Sequence, residues 1–189
     1  ITAVDAEGYW VAITATVNTS FGSKVIVPGT GVVLNNEMDD FSIAPGVPNA
    51  FGLIGSEANE VVAFKRPLSS MSPTIILQGG EPVMTIGAAG GPRIITNALL
   101  GAIRVLDLGI SPGDAIAMNR FHHQWSPDKL YLEPGTDGAV AESLRKMRHT
   151  FGGGACAPHG HRAGLTTGGY AVTNVGLHSV QNLVKSQAV

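Results

Sequence analysis

Charge is scarce in this sequence. Only 14% of its 189 residues are Asp, Glu, Lys or Arg, against about 25% in an average globular chain, so part of the exterior is expected to lie under a partner. The net charge is −2 and the basic residues form no cluster, which argues against nucleic acid as that partner. Cys156 is the single cysteine. It excludes an internal disulfide and says little about redox compartment. No apolar run approaches the roughly 18 residues of a membrane-spanning helix, and no signal sequence opens the chain. If the protein is exported, its address lies outside these residues. No internal repeat is found.

Apolar residues are plentiful, at 44%, and the length suits one domain with a sizeable core. The densest structural signals run from Pro67 to Leu108. Thr74 to Leu77 and Val83 to Ile86 are short β-prone runs, and Gln78-Gly79-Gly80-Glu81 offers glycines where a hairpin needs positive φ. Ile95, Leu99, Ala102, Ile103 and Leu106 then recur at helical spacing, with Gly109 just beyond. Gly87-Ala88-Ala89-Gly90-Gly91-Pro92 is thus the passage from strand to helix. It is neither a phosphate loop, lacking Gly-Lys-Ser/Thr, nor a G-x-G-x-x-G turn. It is either a plain turn or a set of bare amides suited to an anion or a developing oxyanion. Ser69-Ser70, between Pro67 and Pro73, are either turn formers or ligand contacts.

Elsewhere, Trp10 to Val17 alternates and pairs with Ile1 to Val4 through a turn at Asp5-Ala6-Glu7-Gly8. In that strand Thr16 and Asn18 point the same way, a solvent-facing polar row unless something binds there. Gly31 to Leu34 is a further short strand running into Asn35-Asn36-Glu37-Met38-Asp39-Asp40. This acidic cluster fits a solvated loop, a helix start, a Ca²⁺ site or a site for an ammonium group, and the glycine and distal glutamate of an EF-hand are missing. Phe41 to Arg66 reads as a long ordered loop. Ser111-Pro112-Gly113-Asp114 starts a helix with Ser as its cap. His122 and His123 are adjacent, so they do not share a face and read as packing residues. Leu130 to Leu132 is a strand and Ala139 to Arg148 a helix. Cys156, His159 and His161 fall short of the four ligands of a structural zinc and read as a loop.

Thr16-Val17-Asn18, the run from Leu34 to Phe41, the run Lys65-Arg66-Pro67-Leu68-Ser69-Ser70-Met71-Ser72-Pro73-Thr74, and Gly87-Ala88-Ala89-Gly90-Gly91 together resemble the small, catalytic subunit of γ-glutamyltransferase. The likeness runs from about Val4 to Gly135 and takes in Phe121-His122-His123-Gln124-Trp125-Ser126-Pro127. The resemblance implies an α+β fold, the four-layer αββα sandwich of the N-terminal nucleophile hydrolases, in agreement with the strand pairs and central helix. It implies that Thr16 supports the nucleophile and that Asn18, Glu37 and Asp40 grip the substrate's α-amino group. Ser69 and Ser70 would bind the α-carboxylate, and the Gly90 and Gly91 amides would form the oxyanion hole. It further implies glutathione or other γ-glutamyl amides as substrates, water or amino-acid and peptide acceptors, a large subunit from the same precursor and an extracytoplasmic location. Neither cofactor nor metal is implied, and the arginine that the family's large subunit supplies has no counterpart here.

The chain departs from the family in two places. The family's nucleophile is the first Thr of a Thr-Thr-His start, three residues before the position matching Ile1, and these 189 residues do not contain it. Thr2 is no substitute, because its nitrogen is held in a peptide bond while the mechanism uses a free α-amine as base. After about residue 136 the pattern weakens. Arg162, Gly164, Gly169 and Tyr170 keep the family's terminal spacing, but Gly160-His161 stands where Ser-Asp is usual and the stretch before it is short by about a strand pair. Residues 1–170 are therefore expected to form the small-subunit-like domain. Residues 171–189 are expected to be an unmatched tail, non-native or disordered.

Overall fold

The computed structural model describes residues 1–153 and, beyond them, the backbone of three strands, Ala163–Thr167, Tyr170–Asn174 and Asn182–Lys185. The chain divides into two compact units, Ile1–Thr14 with Met71–Val189, and Ala15–Ser70.

The first unit begins with β1 (Thr2–Val4) and β2 (Trp10–Ala12), antiparallel across the Asp5 to Gly8 turn. Extended pairing stops near Ile13, whose amide donates to Ile1 O at 2.8 Å, so the strand is shorter than its alternation predicts. β3 (Thr74–Gln78) and β4 (Glu81–Ala88) then form the expected hairpin, with Gly79 and Gly80 at φ of 64° and 94°. α1 (Arg93–Leu106) and α2 (Pro112–Ala117) follow, then a second hairpin of β5 (Phe121–Gln124) and β6 (Lys129–Leu132), then α3 (Gly138–Lys146). The strands β7 (Ala163–Thr167), β8 (Tyr170–Asn174) and β9 (Asn182–Lys185) complete an antiparallel sheet in the order β3-β4-β7-β8-β9. The last two strands fall at the end of the family pattern and within the stretch beyond it. Cys156, His159, His161, Arg162 and Gly169 lie outside the described residues.

β4 is buried on both faces, and its alternation sorts what lies on each. Met84 and Ile86 pack with Ala98 of α1 and Ile116 of α2. Thr85 points the other way, its hydroxyl shared between Val11 O at 3.3 Å and Thr74 O at 3.2 Å. Helices therefore cover one face of the sheet and the β1–β2 hairpin the other. The packing of α1 corrects an assumption that its sequence invites. Its inner face carries Ile94, Asn97, Ala98, Leu100, Gly101 and Arg104, while Ile95, Leu99, Ile103 and Leu106, the stripe that marks the helix, face outward. Arg104 is tolerated inside because its guanidinium donates to the carbonyls of Ala115, Met118 and Asn119, closing the end of α2. Ser111 caps α2 as expected, accepting from the Asp114 amide at 3.2 Å.

The second unit is built almost without regular structure. It has two short 3-10 turns, Glu37–Asp40 and Glu57–Asn59, and the bridges Ile26↔Val33, Ser42↔Glu60 and Pro48↔Ile54. The strand expected over Gly31 to Leu34 contracts to the Ile26↔Val33 bridge, flanked by Val27 N to Val32 O and Leu34 N to Val25 O at 2.9 Å. A short apolar run with no longer partner in its unit cannot extend its ladder. Phe41 is the one large apolar side chain fully buried in this unit. Backbone clearance is tight: a Cβ at Gly55 would coincide with the buried Ser42 hydroxyl. Among the described residues no helix is long and apolar enough to cross a membrane.

Candidate active site

Thr16, Asn18, Glu37, Asp40, Ser69 and Ser70 all lie in the second unit, and Gly90 and Gly91 in the first. Thr16 and Asn18 do not share a strand face. Asn18 takes a positive φ of 76°, and its amide donates to the Thr16 hydroxyl oxygen at 2.9 Å, a tight turn closed by the threonine itself. With that lone pair occupied, the Thr16 hydroxyl proton has no acceptor among the described residues and is left to donate. Asn36 holds this turn beside the acidic one. Its carbonyl accepts from Asn18 Nδ2 at 3.1 Å, its Oδ1 accepts from the Thr19 amide at 3.0 Å, and its amide donates to Val17 O at 3.2 Å.

The acidic cluster separates into one committed carboxylate and two uncommitted ones. Asp39 Oδ2 accepts from the Ala50 amide at 3.0 Å and so fastens the following loop. Glu37 and Asp40 have no ion-pair partner among the described residues, and the buried Glu37 Oε1 has no hydrogen bond at all. Burial, and then the neighbouring acid, push both carboxyls above their ordinary range: Asp40 acts on Glu37, and Asp39 on Asp40. A pair of half-buried acids that lacks a countercharge within its own unit is suited to receive a cation with hydrogen-bond donors, as an ammonium group has.

Asn59 links that pair to the serines. Its Nδ2 donates to Asp40 O at 2.8 Å and its Oδ1 accepts from the Leu68 amide at 2.9 Å, one residue before Ser69. Ser69 is exposed and Ser70 half-buried. The sequence reading quoted Asn36 only as part of the acidic cluster, without this role, and did not single out Asn59. The available signal was their residue type, since Asn in irregular chain satisfies backbone groups that no ladder can reach.

In the first unit, Gly90 and Gly91 take φ of 127° and 59°. Their carbonyls accept from the Arg93 and Ile94 amides at 3.2 and 3.0 Å, while their own amides have no backbone partner among the described residues. Backbone N–H groups without a backbone partner are donors of the kind that can stabilise a carbonyl oxygen acquiring charge. Behind the helix start, the buried His122 joins Thr96 Oγ1 through Nδ1 at 2.9 Å and Gln124 Oε1 through Nε2 at 2.9 Å. It is a packing residue, as expected, while His123 faces outward and pairs with Asp128. Burial lowers the His122 pKa, with smaller contributions from Arg93 and His123, partly opposed by Gln124. Among the described residues no three His, Cys, Asp or Glu side chains gather as metal ligands.

A family model described as Gamma-glutamyltranspeptidase matches residues 1–173. The chain belongs to the γ-glutamyltranspeptidase family. The glutathione hydrolase proenzyme of Escherichia coli strain K12 is 49% identical over 132 residues, which are 70% of this chain and 23% of that protein. This chain thus spans about a quarter of that relative's length. The crystal structure of a mutant Helicobacter pylori γ-glutamyltranspeptidase superposes with a TM-score of 0.83 at 38% identity, covering 99% of this chain and 97% of that one. The Pseudomonas nitroreducens γ-glutamyltranspeptidase complexed with L-DON gives 0.82 at 38% identity, covering 97% and 98%. The mixed α/β fold described above is therefore that of solved γ-glutamyltranspeptidases, which are N-terminal nucleophile hydrolases.

Proposed function

We propose that this chain is the small, catalytic subunit of a γ-glutamyltransferase-type enzyme, whose intact form cleaves γ-glutamyl amides such as glutathione and passes the γ-glutamyl group to water or to an amino-acid or peptide acceptor. The observation that carries the proposal is the unequal use of the acids, Asp39 being spent on the fold while Glu37 and Asp40 stay unpaired. Glu37 and Asp40, with Asn18, accept from the substrate's α-ammonium, and Ser69 and Ser70 donate to its α-carboxylate. A plain amide acylase has no need of such a pair. The nucleophile is the hydroxyl of an N-terminal threonine, the first residue of a Thr-Thr-His segment ahead of Ile1. Its own α-amine takes the hydroxyl proton as the oxygen bonds to the γ-carbonyl carbon. The Gly90 and Gly91 amides receive the tetrahedral oxygen, Thr16 donates to the nucleophile, and the ammonium formed returns its proton to the departing amine. Water or an acceptor amine then attacks the ester by the same route.

On this reading the fold is the small-subunit part of a four-layer αββα sandwich. Residues 1–170 form its domain, with 171–189 beyond the family pattern. A large subunit from the same precursor completes an extracytoplasmic enzyme.

The test is hydrolysis of a chromogenic γ-glutamyl anilide by the two-subunit protein, prepared with Thr-Thr-His ahead of Ile1 and without it. Turnover is expected only where threonine is the mature first residue, whose α-amine pKa of about 7.7 to 8.0 makes it a base near neutral pH. The form beginning at Ile1 is expected to bind a γ-glutamyl analogue without turning over substrate. Asp40→Ala is expected to weaken that binding by about 1.5 to 3 kcal/mol in calorimetry. Turnover by the form beginning at Ile1, or silence from both, overturns the proposal.

A further inference from the structure

Asn59 is half-buried, and every hydrogen-bonding group of its backbone and side chain is used. Its amide donates to Ser56 O at 3.0 Å, a local turn bond, and the other groups reach farther. Its carbonyl accepts from the Ser42 amide at 2.8 Å, its Nδ2 donates to Asp40 O at 2.8 Å, and its Oδ1 accepts from the Leu68 amide at 2.9 Å. The first two clasp the chain on either side of the buried Phe41, directly after the Glu37–Asp40 turn. The third takes hold of the residue before Ser69. Residues 60–66 are all exposed, so that stretch is guided toward the serines by hydrogen bonds rather than by packed side chains. A planar amide carries its donor and its acceptor on one carbon. Asp40 and Leu68 therefore cannot part or slide past one another without breaking one of the two side-chain bonds.

We propose that Asn59 is a positioning residue that sets the separation between the acids gripping an α-ammonium and the serines gripping an α-carboxylate, and so selects acyl groups that carry both charges on one carbon. This rests on the roles given above to Glu37, Asp40, Ser69 and Ser70, and adds what makes them one site. A head group with both charges on one carbon has a fixed spacing of its own. It bonds both halves of the site at once only while the halves keep the matching spacing, and the gain from the second half is lost when geometry forbids it. A ligand with one charge engages one half and does not sense the separation. The residue type follows from the same geometry. Aspartate would keep an acceptor for the Leu68 amide but set an oxygen against the Asp40 carbonyl, and glutamine would carry both groups one methylene farther out.

The experiment uses the two-subunit protein with Thr-Thr-His ahead of Ile1 and three chromogenic anilides: γ-glutamyl, glutaryl, which lacks the ammonium, and γ-aminobutyryl, which lacks the carboxylate. Asn59→Asp is expected to lower the preference for the γ-glutamyl anilide over each of the others, read as a ratio of kcat/KM values, at least about tenfold, with KM carrying the change. Asn59→Gln, which retains donor and acceptor, is expected to move the ratio the same way by a smaller factor, and it carries the test if the aspartate variant does not fold. A common fall for all three anilides, or an unchanged ratio, overturns the proposal. If the unaltered protein cleaves none of them, the enzymatic reading falls. The same ratio is then read in Kd by calorimetry with L-glutamine, glutaramic acid and γ-aminobutyramide. A loss of preference for L-glutamine in the variants upholds the positioning role, and no such loss, or no binding of L-glutamine at all, overturns it.

Discussion

In the first unit, aliphatic side chains of a strand and two helices close on one another around Met84 and Ile86, and the polar groups are paired in ladders. In the second, Phe41 is the only large apolar side chain fully buried, and asparagine side chains do the fastening: Asn36 bonds the Thr19 amide, Asn49 the Asp39 carbonyl and Asn59 the Asp40 carbonyl, each ten or more residues away. The difference shows how one chain divides its work. A packed core holds a backbone rigid but presents few polar groups. Irregular chain stitched by asparagine keeps carboxylates and hydroxyls at its surface, where a zwitterionic ligand would need them. Fewer apolar contacts also place the second unit nearer the low end of local stability.

The contrast is tested most severely in the core. Met84→Ala removes a side chain with no exposed surface and is expected to cost about 2 to 5 kcal/mol. The loss should be seen as a lower urea midpoint and as faster amide exchange along β4 and α1. An equal loss of protection confined to residues 15–70 would erase the distinction between the units. Next in size is Asn59→Ala, which deletes one donor and one acceptor and is expected to cost about 1 to 3 kcal/mol. On the proposed reading, Asn59 spaces Asp40 from Ser69 without itself touching substrate, so KM for a γ-glutamyl anilide should rise more than kcat falls. A fall in kcat alone would deny it that positioning role.

Two smaller effects sharpen the comparison through their opposite dependence on pH. The pKa of His122 is depressed below its ordinary 6.5. The unfolded chain therefore binds the proton first, and the first unit should lose stability as pH falls through that value. His122→Gln is expected to flatten this slope in urea titrations between pH 8 and pH 5. Asp40 has the reverse sign: its pKa is raised, so the folded state prefers the protonated form and is burdened once the group ionises. Asp40→Asn should therefore steady the second unit above the ordinary carboxylate value of 3.8 and change nothing below it. Amide exchange at residues 36–60 reads the gain, and the same variant should bind a γ-glutamyl analogue more weakly. Stability lost together with affinity at neutral pH would show that Asp40 serves the fold.

The sequence declared its turns better than its faces. Gly79-Gly80 and Ser111-Pro112 each prescribe a local conformation through their own chemistry, and both form as expected. Periodicity located α1 but left its orientation open, because a 3.6-residue repeat reveals a stripe and not what covers it. Alternation from Trp10 to Val17 misled for a related reason. Side chains alternate in any extended run, but the ladder continues only while a partner strand is present, and here it stops near Ile13. The acidic cluster was legible as a cluster. Telling Asp39 from Asp40 required the Ala50 amide, eleven residues away, a contact that only the folded loop creates. The family likeness named Glu37, Asp40, Ser69 and Ser70, whereas it gave no role to Asn36, inside the run from Leu34 to Phe41, or to Asn59, because the work of both is done on backbone groups.

Gly55 and Ser42 constrain how this protein can change over generations. Because a Cβ at Gly55 would fall on the Ser42 hydroxyl, and because Gly55 does not sit at a positive φ, space alone bars a side chain there. The two sites form an ordered pair: Ser42→Gly opens the room and Gly55→Ala can then enter it, whereas the reverse order passes through a clash. Lineages should carry the first change without the second, and rarely the second without the first. Measured singly, the two substitutions should fail to add, with their coupling favourable in the double variant.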